Sequence, residues 1–408
     1  MSSVTDLEAT LQQAVRHHQA GQLADAERLY RRVLRARPDH PEINNAYGIA
    51  LQQQGKLPEA ADAFRQAVAS SPDFVPAQSN LGNILFEQGK LAEAEACYRR
   101  ALEMQPDMAD ALRNLSLVLV EGGRYEESLH WFRRHAELIH GRAQAQRPGD
   151  PPPAPHKVQH DREQREYLTG GNGDAPIPFH LEDGPRIASR AVNPDSTGGD
   201  IATRWENERP QIAVIDNFLS EEALQQLRQY CWRSTMWHKV YATGYVGAMP
   251  EHGFACPLVL QIAEELRSTY PAIIRDHPLM YWWAFKYERE LGGIDMHADF
   301  AAVNVNIWIT PDEANLEPGT GGLIIWDKPA PLEWTFAQYN APNSAQMMKD
   351  FLAQSGAKSV TVPYKANRAV IFDSDLFHKG DRIVFKDGYV NRRTNITMLF
   401  GRRGKPHG

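Results

Sequence analysis

The chain has 408 residues, too many for one ordinary core and enough for two or three domains. Apolar residues make up 42% and charged residues 23%, the balance of globular domains rather than of a disordered polar tail. The formal net charge of −7 argues against a general nucleic-acid binder, which carries a basic face.

Residues 1–11 carry Asp6 and Glu8 and no apolar run, so no secretory leader is expected. No stretch approaches the roughly 18 consecutive apolar residues of a membrane span. Cys97, Cys231 and Cys256 are far apart and odd in number. They suggest neither a disulfide framework nor a cysteine metal site, and point to a reducing cytoplasm.

The first third repeats. Gly21, Gly55, Gly89 and Gly123 are each 34 residues apart. Each is followed five residues later by a small residue (Ala26, Ala60, Ala94, Ser128) and nine later by an aromatic (Tyr30, Phe64, Tyr98, Phe132). Seven residues before each glycine stands another small residue: Ala14, Gly48, Gly82 or Ser116. Pro38, Pro72 and Pro106 close the first three copies, and His140 takes that place in the fourth. A helix–turn–helix unit explains the pattern. The glycine supplies a positive φ at the turn, the small residues let paired helices approach, and the aromatic fills the gap beside them. One such unit cannot bury its apolar face alone, but a stack can.

This pattern resembles the tetratricopeptide repeat over residues 7 to about 142, with departures at His135 and His140 in the fourth copy. The resemblance implies an all-α solenoid whose groove takes a peptide or protein partner. Asn80 and Asn114 occupy one repeat position, where related repeats use asparagine to hold a ligand backbone; Ala46 and Gln12 interrupt the series. Self-association into a homo-oligomer is the alternative use of the array.

Residues 143–208 lack periodicity. Pro148, Pro151, Pro152, Pro153 and Pro155 cluster, and glycines follow at 170, 171, 173, 198 and 199. The segment is expected to be a Pro/Gly-rich linker, with His156, His160 and His180 as solvated side chains.

From residue 209 the texture is short apolar runs. Ile212–Ile215 predicts a strand, and Ser220 ahead of Glu221 and Glu222 predicts a capped helix start. A second helix is expected over Leu258–Tyr270. Strands are expected at Tyr281–Tyr287, Val303–Ile309, Gly322–Trp326, Lys358–Val362, Ala369–Phe372 and Arg393–Phe400. Their spacing favours a sandwich or barrel over a parallel sheet. Arg402, Arg403 and Lys405 read as a solvated tail.

Three segments carry chemistry. His297 and Asp299 stand two apart, so on an extended chain they point the same way and can share one metal. His378 follows the apolar run 369–372 and a polar turn, at a strand mouth where a third ligand belongs. Two imidazoles and one carboxylate suit iron(II) with open positions better than a structural zinc site. In Arg393–Phe400, Ile396, Met398 and Phe400 form an apolar face, and Arg393, Asn395 and Thr397 form a polar one. A guanidinium inside a sandwich needs a partner, and a dicarboxylate can supply one. Arg392 is the alternative anchor but falls on the apolar side. Asn304, Asn306 and Trp308 share a face; Asn306 and Trp308 are candidate substrate contacts. Gly292-Gly293 reads as a turn before the metal strand, since no helix follows it.

Together, H-x-D, the later histidine and the Arg-x-Asn-x-Thr strand resemble the double-stranded β-helix oxygenases that use 2-oxoglutarate, notably those of prolyl-hydroxylase type. The resemblance covers residues 210–403 and includes Gly321-Gly322-Leu323 and Val214-Ile215-Asp216-Asn217-Phe218-Leu219. It implies His297, Asp299 and His378 as Fe(II) ligands, Arg393 on the distal carboxylate of 2-oxoglutarate, and O2 as the oxidant. Tyr287 is implied as a further donor to 2-oxoglutarate, with a plain core role as the alternative. The expected architecture is a tetratricopeptide solenoid (1–142), a linker (143–208) and an α+β domain with a jelly-roll-like core (209–408). The expected activity is hydroxylation of a peptide or protein side chain. The alternatives are a small-molecule substrate, with the repeats used for assembly, and a non-catalytic binding scaffold.

Overall fold

The computed structural model describes residues 4–141, 152–193, 201–331, 333–334, 338 and 344–403. The chain divides into two compact units, Met1–Trp131 and Phe132–Gly408.

The first unit is helical. Helices α1 (Val4–Gln19), α2 (Leu23–Ala36), α3 (Pro41–Gln53), α4 (Leu57–Ser70), α5 (Val75–Glu87), α6 (Leu91–Met104) and α7 (Ala109–Glu121) lead into α8 (Tyr125–His140). The four repeat glycines sit in the turns with φ between 72° and 75°. The small positions are small for a measurable reason. A Cβ on Gly48 would stand 2.6 Å from the Phe64 ring, and one on Gly82 would stand 2.7 Å from the Tyr98 ring. Ala14, Ala26, Ala60, Ala94, Ser116 and Ser128 are fully buried. The last residues of α8 belong to the second unit, which accounts for the departures in the fourth copy. His135 hydrogen-bonds the Glu251 carbonyl at 2.7 Å, and His140 stacks on His238 with ring centroids 3.5 Å apart.

The second unit is sheet-rich and antiparallel. Its strands are β1 (Ile212–Ile215), β2 (Lys239–Tyr241), β3 (Tyr245–Ala248), β4 (Leu279–Tyr287), β5 (Glu290–Leu291), β6 (Val303–Trp308), β7 (Leu323–Pro329), β8 (Ser359–Val362), β9 (Arg368–Asp373), β10 (Leu376–Gly380), β11 (Ile383–Val384) and β12 (Thr394–Phe400). Seven form one sheet in the order β1-β9-β6-β12-β4-β3-β2; β10-β7-β8 form a second, and β11-β5 pair alone. Tyr287, Trp308, Val370 and Phe372 of the large sheet share one core with Leu323, Ile325, Val362 and Leu376 of the small one. The β2–β3 hairpin was not expected from the sequence; its three-residue first strand is half exposed and carries little apolar signal.

The opposite face of the large sheet is covered by helices. These include α11 (Glu221–Arg233) and α12 (Pro257–Thr269), which follow α9 (Pro155–Thr169) and α10 (Ile201–Asn207) in the chain. Ser220 caps α11 by accepting from the Ala223 N–H, as its sequence position implied. Alternation along β4 sends Lys286 to this side. There its Nζ lies 3.7 Å over the Tyr389 ring and 4.5 Å over Trp237, and burial pushes its pKa well below the ordinary value.

The linker expectation fails for the described residues. Pro155 occupies the first turn of α9, where a proline's missing N–H costs nothing. His156 and His160 are buried in this unit, not solvated; His180 is exposed. Gln164 donates to the Ser234 carbonyl at 2.9 Å. Pro148, Pro151, Gly198 and Gly199 lie outside the described residues. The tail expectation fails likewise at Arg403, whose side chain is only 7% exposed, pairs with Asp375 at 2.5 Å and donates to three backbone carbonyls. Lys405 lies outside the described residues.

Candidate active site

The metal candidates come together where the β10 edge meets the segment leading into β6. His297 and His378 face each other across an antiparallel bridge, with N–H···O distances of 3.0 and 2.8 Å. The Asp299 N–H then reaches the Ser374 carbonyl at 3.2 Å. Gly293 makes the approach feasible. A Cβ there would stand 2.2 Å from the Gly380 carbonyl, and its φ is 104°.

Each imidazole is oriented by its own backbone. His297 Nδ1 donates to the Asp295 carbonyl at 2.8 Å, and His378 Nδ1 donates to the Leu376 carbonyl at 3.0 Å. Both Nε2 lone pairs are thereby left for a ligand. The donor atoms of His297, Asp299 and His378 all lie within 4.8 Å of one another, and His378 Nε2 is 3.4 Å from Asp299 Oδ2. Two imidazoles and one carboxylate converging in this way are a donor set that suits a divalent first-row ion. Burial works against the Asp299 carboxylate, but its neighbours His378, His297 and Asn304 outweigh it and hold its pKa below the ordinary value. Burial and the neighbouring His378 lower the pKa of His297.

The same cleft holds the second candidate. Trp283, Phe285, Tyr287, Ile294, Leu323 and Ile383 wall it, and Asn306, Arg393, Asn395 and Thr397 form its polar side with the trio. Arg393 is 2% exposed. It donates through Nε to the Gly321 carbonyl at 2.6 Å and through Nη1 to Asn395 Oδ1 at 3.3 Å. Its guanidinium carbon lies 4.6 Å from the Tyr287 ring centroid, 5.7 Å from Trp308 and 5.9 Å from Tyr364. No carboxylate of the described residues pairs with it. Its neighbour Arg392 points the other way and is held by Glu163 of α9, at 2.6 and 3.0 Å. That ion pair removes Arg392 as the alternative anchor.

The remaining candidates divide. Tyr287 is buried and lines the cleft beside Arg393, and burial pushes its hydroxyl pKa up to about 12, so it stays protonated and able to donate. Asn306 lines the cleft, but its amide is engaged within the protein: Nδ2 donates to Asn304, and Oδ1 accepts from Thr397 and Asn395. Trp308 does not line the cleft. It is fully buried behind Arg393 and stacks on Tyr364 with centroids 5.4 Å apart. The shared face with Asn306 is correct, yet β6 carries Trp308 one step deeper into the core. Tyr364 and the Gly321 carbonyl were missed as parts of the arginine pocket, because no local pattern distinguishes them. In the helical unit, Asn80 donates to Asn45 at 2.9 Å and Asn114 to Asn83 at 2.9 Å. The asparagines therefore bridge adjacent repeats; Asn45 and Asn83 lay outside the position the sequence singled out.

Family models of the tetratricopeptide repeat match residues 11–73, 79–151 and 51–103. The N-terminal third is thus an array of such repeats. Similar solved structures include that of MamA, with 19% identity over 34% of this chain and 82% of that one, at a TM-score of 0.33. The first repeat domain of Spaghetti (RPAP3), bound to an HSP90 peptide, is 22% identical over 30% of this chain and 96% of that one, with a TM-score of 0.29. Pseudomonas aeruginosa PilF is 22% identical over 33% of this chain and 62% of that one, with a TM-score of 0.31. No curated protein matches the chain. Among the described residues, no helix is long and apolar enough to cross a membrane.

Proposed function

We propose that the second unit is an Fe(II)- and 2-oxoglutarate-dependent dioxygenase of double-stranded β-helix type. The proposal includes a role for the repeats, which recruit a peptide or protein whose side chain is hydroxylated. The observation that carries the reading is one cleft holding both an oriented His297–Asp299–His378 trio and a buried Arg393 that no carboxylate pairs. Bound there, the iron and its 2-oxoglutarate supply the power to oxidise a C–H bond with O2, yielding succinate and carbon dioxide.

The chain's own residues set the conditions. His297 and His378 present Nε2 because their Nδ1 protons are committed to backbone carbonyls. Asp299 supplies the negative charge that favours a divalent ion. Arg393 meets the distal carboxylate, and the rings of Tyr287, Trp308 and Tyr364 keep water from competing for that pair. The Tyr287 hydroxyl stays protonated and donates to the same carboxylate. Asp299 fills the position that related halogenating enzymes leave for halide, which favours hydroxylation. The repeats support a protein partner, since such arrays offer a concave binding surface.

Turnover tests the reading. The full chain with Fe(II), ascorbate and O2 is expected to convert 2-oxoglutarate to succinate, and His378→Ala is expected not to. A peptide array incubated with the enzyme should then show products heavier by one oxygen. Succinate formation equal in enzyme and variant would remove the catalytic reading.

A further inference from the structure

Four buried side chains join the two halves of the cleft. Arg393 donates to Asn395 Oδ1 at 3.3 Å, and Asn395 Nδ2 donates to Thr397 Oγ1 at 3.1 Å. Thr397 Oγ1 donates to Asn306 Oδ1 at 3.0 Å, and Asn306 Nδ2 donates to Asn304 Oδ1 at 2.6 Å. Asn304 Nδ2 donates to Asp299 Oδ2. Register builds the path: Asn304 and Asn306 alternate on β6, Asn395 and Thr397 alternate on β12, and Thr397 pairs directly with Asn306.

The ends fix the direction. An ionised carboxylate only accepts and a guanidinium only donates, so Asn304 must turn its amide nitrogen to Asp299 and its oxygen to Asn306. Every link then donates from the cation side toward the anion side, and aligned donors strengthen one another in a low dielectric. Packing alone does not call for this. On the reverse face the same strands carry Val305, Ile307, Ile396 and Met398, all buried. Buried amides and hydroxyls give no packing advantage over such residues and are tolerated only when satisfied.

We infer that the Asn304–Asn306–Thr397–Asn395 chain is a positioning device that holds the Asp299 carboxylate for its metal and ties it to the Arg393 anion anchor. This rests on the functional reading above. Asn304 occupies one lone pair of Oδ2 and fixes the carboxylate rotamer. Thr397 sets Asn306, which sets Asn304, so a side chain with no metal contact tunes metal affinity. Outer partners of metal ligands typically change affinity about 10–100-fold when removed.

The test is calorimetric titration of the full-length apo-protein with Co(II), free of any turnover. Asn304→Ala is expected to weaken binding about 10–100-fold. Thr397→Val keeps the side-chain shape but removes the central hydroxyl; it is expected to weaken binding several-fold, with Thr397→Ser restoring it. A purely structural role would shift the unfolding midpoint of Thr397→Val and leave its Co(II) affinity unchanged, which overturns the inference. Should Asn304→Ala not fold, the valine–serine pair decides alone. His378→Ala separates the two readings. If it abolishes binding while Asn304→Ala and Thr397→Val bind like the parent, the metal site stands and the positioning chain falls. If the parent itself binds no Co(II), both fall.

Discussion

Replacing Arg393 with methionine tests the anion anchor through stability rather than catalysis. The guanidinium is 2% exposed and no described carboxylate pairs with it, so the apo-protein holds a buried charge whose desolvation is only partly offset. Its compensation is two hydrogen bonds and three aromatic faces. Methionine of similar length removes that cost, so Arg393→Met is expected to unfold at or above the parent midpoint without ligand. Ligand reverses the order. A dicarboxylate at 100 times its Kd adds about 2.7 kcal/mol to the parent. For a unit of this size that raises the thermal midpoint by roughly 5–10 °C. The variant loses a charge-assisted, bidentate pair, a loss of about 3 kcal/mol or more, which raises Kd at least about 100-fold and abolishes the shift. The assay is thermal unfolding with Mn(II), with and without 2-oxoglutarate. A variant that is markedly less stable without ligand, yet keeps the full ligand-induced shift, would refute the reasoning.

Other outcomes follow from the same structure. Gly48→Ala and Gly82→Ala drive a methyl into Phe64 and Tyr98, and each is expected to cost about 1–3 kcal/mol in urea unfolding of the helical unit. Acid should destabilise the second unit. Burial lowers the pKa of His160 to about 3, and burial with neighbouring charges lowers His140 to about 4 and His238 to about 2. The unfolded chain takes up these protons near pH 6.5 while the folded one does not. Stability is therefore full above about pH 6.5 and falls as pH drops through that window. His160 alone accounts for about 2 kcal/mol between pH 6.5 and 5, and His160→Gln should flatten the slope of urea stability against pH. Glu163→Gln breaks the pair that holds Arg392 beside Arg393, and is expected to weaken 2-oxoglutarate binding without altering Co(II) affinity; equal losses in both would assign Glu163 to general folding.

The convergence of the candidate residues was legible because chemistry restricts residue type and strands restrict spacing. His297 and Asp299 two apart, and Arg393, Asn395 and Thr397 in alternation, declare a common side before any contact is known. The repeats were legible because a turn with positive φ and a close helix contact each admit few residues. What escaped lacked such a restriction. Helix α9 is polar, and its place is set by single partners such as Glu163 on Arg392 and Gln164 on Ser234. The depth of Trp308 depends on how the sheets close over Arg393, which alternation along one strand does not specify. Asn304 shared the right face, but its bond to Asp299 depends on the turn between them.

On the proposed function, one cleft binds iron(II) through His297, Asp299 and His378, and 2-oxoglutarate through Arg393. Anaerobic addition of Fe(II) and then 2-oxoglutarate to the apo-protein tests it most directly, through a visible metal-to-ligand charge-transfer band. A band is expected in the parent, none in His378→Ala, and one that needs far more 2-oxoglutarate in Arg393→Ala. A parent protein that leaves iron unbound and shows no band would contradict it.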